Sequence, residues 1–240
     1  MKKFELTTES ITNALGKKLF RIKALVEFGD VKAGELGGYV EKEGNVSQDG
    51  NAWVCGNAAV SGNAAVSGNA RVFGNAWVSG NAAVFGDAWV SGNAAVFGNA
   101  WVSGNAWVSG NAWVCGNAAV SGNAAVSGNA RVFGNAWVSG NAAVFGDARI
   151  CGDAEVSGNA RVSSNADYTL VQGFGTKLRC TTFCRSKNKK IMVNCGCFHG
   201  DLEGFRKQVK ETRSGKIAKE YLMIADLMEY HFTSEDSSNE

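Results

Sequence analysis

The sequence predicts a parallel β-solenoid, in which the chain winds into stacked coils of short strands. From Gly50 to Val162 one hexapeptide, Gly-Asn-Ala-x-Val-y, recurs nineteen times without an insertion or a gap. Six residues are too few for a helical repeat, and so small a unit buries its apolar side chains only by stacking on copies of itself. Proline is absent, which suits a chain whose backbone amides serve strand ladders.

Each hexapeptide is predicted to form one short strand and one corner. Ala and Val lie two positions apart, so both point to the inside of the coil, while x and y point outward. Gly and Asn tolerate left-handed backbone conformations and form the corner. Three hexads would close a triangular coil of 18 residues, giving roughly six coils about 4.8 Å apart. A flattened coil of two hexads is the alternative, and inner Asn side chains are expected to stack in ladders.

The x position carries every Trp of the chain, so the predicted outer surface is rich in aromatic side chains. The candidate interaction surface consists of Trp53, Trp77, Trp89, Trp101, Trp107, Trp113 and Trp137. Five Phe residues at y add to it. Soluble monomers rarely expose so much aromatic area, so the pattern favours self-association or a protein partner. Packing between neighbouring coils is the alternative explanation, and carbohydrate stacking is the least favoured one.

An internal duplication bears on whether this surface is specific to one face. Residues 51–88 recur identically at 111–148, which is 60 positions or ten hexads later. With three hexads per coil, ten hexads leave a remainder of one, so each copied side chain is expected one face away from its original. The duplication therefore lengthens a scaffold without preserving a face-specific site.

The repeat and its flanks resemble a known family. The hexapeptide is similar to that of left-handed β-helices, and the chain resembles the YdcK-like hexapeptide-repeat proteins of bacteria and phages over residues 17–232. The similarity outside the repeats lies in Leu19–Leu25, Gly37–Glu43 and Asn194–Phe205. The resemblance implies a left-handed β-helix capped at both ends. It implies no settled activity, because the family's acyltransferase label comes from the shared fold.

Four segments are predicted: an N-terminal leader and cap at 1–49, the solenoid at 50–167, an α+β module at 168–232 and a disordered tail at 233–240. In the module, strands are expected at Leu178–Cys184 and Ile191–Phe198, joined by the polar turn Ser186–Lys190. Two helices should follow. The first has Asp201 as its N-cap and the apolar residues Leu202, Phe205 and Val209; the second has Ile217, Tyr221, Ile224 and Met228.

No catalytic residue and no cofactor are predicted, and the sequence favours a non-enzymatic protein. Hexapeptide acyltransferases use a histidine base, but His199 and His231 lie outside the repeats, and neither is expected near the solenoid. An acyltransferase-like enzyme, or an activity in the C-terminal module, is the alternative. A zinc site is a weak alternative that would use Cys180, Cys184, Cys195 and Cys197, whose spacing differs from the usual C-x2-C pattern.

Charge and hydropathy exclude several classes of partner. The formal net charge is +2, and the repeats carry four basic and four acidic side chains, so no nucleic-acid stripe is expected. No apolar run is long enough to span a membrane, and the N-terminus lacks a signal-peptide core. We therefore predict a cytoplasmic protein, or one carried in a virion, that serves as a structural scaffold for self-assembly or protein binding.

Overall fold

The computed structural model describes residues 2–233, except for the side chain of Arg179. Its central part is a β-solenoid of about seven turns with three parallel sheets. Each strand pairs with the strand 18 residues away, as Trp89 pairs with Trp107. The three-hexad coil is thus confirmed and the two-hexad alternative is wrong, whereas the left-handed winding stays a prediction.

Each sheet forms one face of the solenoid. The first face contains β4 (Trp53–Val54), β7 (Arg71–Val72), β10 (Trp89–Val90), β13 (Trp107–Val108), β16 (Ala125–Val126), β19 (Ala143–Val144) and β22 (Arg161–Val162). The second face contains β5 (Ala59–Val60), β8 (Trp77–Val78), β11 (Ala95–Val96), β14 (Trp113–Val114), β17 (Arg131–Val132) and β20 (Arg149–Ile150). The third face contains β6 (Ala65–Val66), β9 (Ala83–Val84), β12 (Trp101–Val102), β15 (Ala119–Val120), β18 (Trp137–Val138) and β21 (Glu155–Val156).

The solenoid core is built from the Ala and Val of every hexad. The inward orientation of both positions is confirmed, because these side chains are at most 1% exposed throughout the repeats. The corners require glycine. Gly92 has a φ of +67°, and a Cβ added there would lie 2.9 Å from the carbonyl oxygen of Gly110 in the next coil. The chain can therefore stack at this spacing only with a residue that lacks a side chain.

Asn side chains stack along the corners in ladders, as predicted, but on the outside of the coil. Within a ladder the amide Nδ2 of one Asn donates to the Oδ1 of the Asn or Asp 18 positions later, for example from Asn105 to Asn123 at 2.9 Å. These side chains are exposed rather than inner, because Ala and Val fill the narrow interior. The ladders add a side-chain hydrogen bond between coils at most corners.

The leader closes the first coil with a β-meander. It comprises β1 (Phe4–Thr12), β2 (Lys18–Ala24) and β3 (Leu36–Val40), followed by a 3-10 turn at Glu43–Asn45. β1 and β2 pair antiparallel, as do β2 and β3, and β3 then pairs parallel with β5. The second face is therefore continuous with the leader.

The carbonyl oxygens of the first coil have no preceding coil to donate to them, and the leader takes that role with backbone amides, as from Tyr39 to Ala58 at 2.9 Å, and with side chains. Lys3 Nζ donates to the carbonyls of Gly50 and Ala52, at 3.2 and 3.0 Å. Asn45 Nδ2 donates to those of Gly62 and Ala64, at 3.1 and 2.8 Å. Burial lowers the pKa of Lys3 from its ordinary value of 10.5 to about 8, because desolvation outweighs the nearby Asp49 charge.

The C-terminal module is a four-stranded antiparallel sheet with two helices. It contains β23 (Tyr168–Phe174), β24 (Arg179–Arg185), β25 (Ile191–Cys195), β26 (Phe198–Asp201), α1 (Leu202–Thr212) and α2 (Gly215–Thr233), preceded by a 3-10 turn at Asn165–Asp167. The predicted hairpin is thus half of a larger sheet: the segment predicted as one strand at Ile191–Phe198 ends at Cys195 and turns into β26.

Both helices form as predicted. Asp201 caps α1, accepting a hydrogen bond from the Gly204 amide at 3.0 Å. The apolar residues of the two helices pack on Phe183 and Val193 of the sheet. Among the described residues, no helix is long and apolar enough to cross a membrane. The predicted disordered tail lies outside the described residues apart from Thr233, which ends α2.

The other side of the sheet and the 3-10 turn before it cover the last coil, whose amide groups have no following coil to accept their hydrogen bonds. Thr182 Oγ1 accepts from the Glu155 amide at 2.9 Å, and Asn165 Oδ1 accepts from the Arg149 amide at 2.9 Å. Asp167 accepts from the Ser163 amide at 2.8 Å. Although burial opposes its ionisation, hydrogen bonds from Ser163 and Ser164 hold the pKa of this carboxyl below its usual range.

Candidate interaction surface

Five of the seven Trp side chains of the candidate surface are exposed. Trp89, Trp101, Trp107, Trp113 and Trp137 are between 43% and 57% exposed, and Trp77 is half-buried. Trp53 is fully buried, so its assignment to the outer surface is wrong. The leader covers it: Phe4 and Phe28 pack against the indole edge to face, with ring centroids 6.2 and 5.4 Å away.

Each exposed Trp contacts the y residue 16 positions earlier, which belongs to the preceding coil. Where that residue is Phe, the two rings meet edge to face. The pairs are Phe73 with Trp89, Phe85 with Trp101 and Phe97 with Trp113, with centroids 5.8–6.0 Å apart. Edge-to-face pairs add about 0.5–1.5 kcal/mol beyond the area they bury. Packing between coils therefore accounts for about half of each indole surface.

Where the y residue is Ser, the indole N–H donates to it instead. Trp107 Nε1 donates to Ser91 Oγ at 3.2 Å, and Trp137 Nε1 donates to Ser121 Oγ at 3.0 Å. Both kinds of contact fix the orientation of the indole while leaving one ring surface in solvent. A side chain that is already ordered loses little conformational entropy when a partner packs on it.

The first face carries the most continuous aromatic patch. Trp89 and Trp107 lie in directly paired strands, about 4.8 Å apart. On the second face Ala95 separates Trp77 from Trp113, and on the third face Ala119 separates Trp101 from Trp137. Within residues 50–163, all of which are described, Trp89 and Trp107 are the one pair of adjacent indoles.

Two notches of opposite charge flank this patch. The N-terminal notch, about 590 Å³, is lined by Asp30, Asp87 and Arg71 beside Trp89; Arg71 is ion-paired with Asp30. The C-terminal notch, about 610 Å³, is lined by Arg161, Lys187 and Lys190 beside Ala143. Asp201 also lines the C-terminal notch, where it is 3.7 Å from Lys190. Acidic side chains therefore outnumber basic ones in the N-terminal notch, and basic side chains outnumber acidic ones in the C-terminal notch.

Comparison with protein families agrees with this architecture. The family model described as the YdcK β-solenoid repeat matches residues 64–80, 100–116 and 124–140. The chain carries YdcK β-solenoid repeats. All three matches lie inside the solenoid, and the caps and the C-terminal module fall outside them. No curated protein matches the chain.

One site at the end of the YdcK-type solenoid was missed by the sequence analysis. His199 was expected to lie away from the repeats, but its Nδ1 is 3.5 Å from Glu155 Oε1 and 2.9 Å from Asn194 Oδ1. The expectation is wrong because the sheet of the C-terminal module folds back across the last coil. Asn194 in turn accepts from Ser157 Oγ at 2.8 Å and donates to the Glu155 carbonyl at 2.8 Å. The cluster joins the module to the solenoid.

The zinc alternative is wrong, because the four module cysteines do not converge. Cys184 is buried against the solenoid core, Cys195 packs on the helix side of the sheet, and Cys197 is exposed. No group of His, Cys, Asp or Glu in residues 2–233 could hold a metal ion. Burial raises the pKa of the Cys184 thiol to about 12 and that of Cys180 above its usual range. Neither thiol is activated as a nucleophile.

Proposed function

We propose that this protein is a non-enzymatic scaffold whose YdcK-type solenoid holds Trp side chains on its surface for self-assembly or for binding a protein partner. The observation that supports this most is the pair Trp89 and Trp107: both are about half exposed, 49% and 51%, and both are held in place by residues of the preceding coil. Ordered aromatic side chains are the commonest anchors of protein interfaces.

The proposal extends to features that the fold alone leaves open. It includes a left-handed coil, an origin in a bacterium or phage, and a cytoplasmic location. The seven cysteines all occur as free thiols, which suits a reducing compartment. The charges of the solenoid are balanced and few, which argues for a protein partner rather than a nucleic acid.

The test compares two matched pairs of Trp substitutions. Trp89→Ala with Trp107→Ala removes the adjacent pair, and Trp101→Ala with Trp137→Ala removes an equal number of comparably exposed indoles from the third face. Molar mass in solution and recovery of partners on the immobilised full chain are measured for each. We expect the first pair to reduce association strongly and the second pair to change it little. If the first pair changes neither the mass nor the recovery, the proposal fails.

A further inference from the structure

We propose that the first face binds a second copy of this chain in antiparallel orientation. The inference rests on the proposed function, because it uses the Trp89–Trp107 patch as the contact and names its occupant. Two properties of the first face support it: the order of large and small side chains, and the opposite charges at its two ends.

The side-chain sizes along the first face are self-complementary. Four consecutive strands carry Trp89, Trp107, Ala125 and Ala143 at the outward position. A twofold axis that lies between β13 and β16, parallel to the strands, reverses this order in the second copy. Trp107 of each copy then faces Ala125 of the other, and Trp89 faces Ala143. Such an isologous contact fills each alanine depression with one indole.

The charges are complementary under the same axis. The axis brings the N-terminal notch, with exposed Asp30 and Asp87, opposite the C-terminal notch of the other copy, with exposed Arg161 and Lys187. It also places Arg71 opposite Arg161, but Arg71 is already neutralised by its ion pair with Asp30. Because the axis is parallel to the strands, it keeps each corner on its own side. Asp87 lies on the same corner as Asn159, whose carbonyl accepts from the Lys187 backbone amide. Asp87 thus faces Asn141 of the other copy, one coil from Asn159, and the long Lys187 side chain spans that offset of about 4.8 Å to reach Asp87, once on each side of the axis.

The other two faces fit this kind of partner less well. The tip of the β1–β2 hairpin overhangs the second face, where Leu15 and Lys17 line a cavity with Trp77 and Trp113. On the third face each Trp is isolated by an alanine, and Glu155 near its end already contacts His199. The first face is covered only towards its two ends, by the leader over Trp53 and by residues 186–190 beside Arg161. Between them Trp89 and Trp107 stay about half exposed.

The first experiment measures the mass of the full chain by sedimentation equilibrium from about 0.1 to 100 µM, the range where specific protein pairs of modest area associate. We expect a monomer–dimer equilibrium. Trp89→Ala with Trp107→Ala should weaken it about 100-fold, as expected for two central anchors, while Trp101→Ala with Trp137→Ala should change it by less than about threefold. A monomer at every concentration, or dissociation caused by the third-face pair instead, would overturn the inference.

The second experiment tests the orientation by charge reversal. Asp87→Lys alone and Lys187→Glu alone should each weaken the dimer about tenfold, and the double variant should return to within about threefold of the wild type. Because Asp87 and Lys187 lie at opposite ends of one face, only an antiparallel dimer allows this rescue. A double variant as weak as the single ones would overturn the orientation. If the chain is monomeric but partner recovery still depends on Trp89 and Trp107, the second-copy inference fails and the proposed function stands.

Discussion

The two ends of the solenoid present opposite backbone groups, and the two caps contact them with opposite chemistry. At the N-terminal end, carbonyl oxygens are satisfied by the donors Lys3 and Asn45. At the C-terminal end, amides are satisfied by the acceptors Thr182, Asn165 and Asp167. A parallel solenoid has a direction, so a cap built for one end has the wrong hydrogen-bonding groups for the other.

Removing the Trp53 indole should give the largest loss of stability, because the N-terminal cap buries this side chain and does not bury its copy, Trp113. Trp113 is the copy of Trp53, 60 positions later in an identical segment, but it is 43% exposed. We expect Trp53→Ala to lower the free energy of unfolding by about 3–5 kcal/mol, and Trp113→Ala by about 1 kcal/mol or less. Urea unfolding of both variants measures the difference. Equal losses would show that the cap does not provide the burial.

The pH dependence of stability should reveal Lys3 at the carbonyl end. The pKa of Lys3 is about 8 in the fold and 10.5 when unperturbed, so between these pH values the unfolded chain binds more protons. Raising the pH through this window therefore stabilises the fold, by about 1–3 kcal/mol from this group. Lys3→Met removes the group and is the reference.

The measurement is the difference in unfolding free energy between the wild type and Lys3→Met at pH 7.5 and at pH 10.5, about the ends of that window. Subtraction cancels the cysteines, whose raised pKa values act in the opposite direction. A difference that does not move in favour of the wild type would contradict a desolvated Lys3.

At the amide end, Thr182→Val keeps the shape of the side chain and removes the acceptor for the Glu155 amide. We expect a loss of about 1–2 kcal/mol in the free energy of unfolding, because a partly buried N–H is left without a partner. Thr169→Val, at a half-buried position in β23, is the matched control and should change stability by less than about 0.5 kcal/mol. Hydrogen exchange should also become faster at the Glu155 amide in Thr182→Val alone.

The smallest change in stability should come from Asp87, at a corner between the two ends of the solenoid. Asp87 accepts from Asn69 at 2.9 Å, but an ionised carboxylate has no donor to continue the ladder to Asn105. Asp87→Asn supplies that donor, so we expect a gain of about 0.5–1 kcal/mol in dilute solution. Asp153 ends its ladder, accepting from Asn135 at 2.9 Å, and Asp153→Asn should give no gain. Thermal unfolding distinguishes the two variants.

The sequence was sufficient to predict the solenoid, because every contact of its core repeats at a fixed separation of 18 residues. Ala106 and Val108, for example, could be placed inside from their position in the hexad alone. The burial of Trp53 could not be predicted, since Phe4 and Phe28 come from a leader without periodicity. The site at His199 was missed for the same reason: nothing in its local sequence indicates that β26 lies beside Glu155.

Trp53 and Trp113 show that local sequence alone does not determine whether a Trp side chain of the repeats is buried. Their hexads and the following 35 residues are identical, yet one indole is fully buried and the other is about half exposed. The ten-hexad offset placed Trp113 on the second face, away from Phe4 and Phe28, which cover Trp53. The candidate surface was therefore predictable as a set of outward positions, but not in its final membership.

Because three hexads make one coil, the number of hexads also sets the angle between the two caps about the solenoid axis. Adding three hexads would move the C-terminal module one coil, about 4.8 Å, further along the solenoid axis without rotating it about that axis. Adding a single hexad would swing the module by a third of a revolution relative to the leader. The number of hexads would thus set the relative orientation of any two ligands bound by the two caps, without a change in either cap.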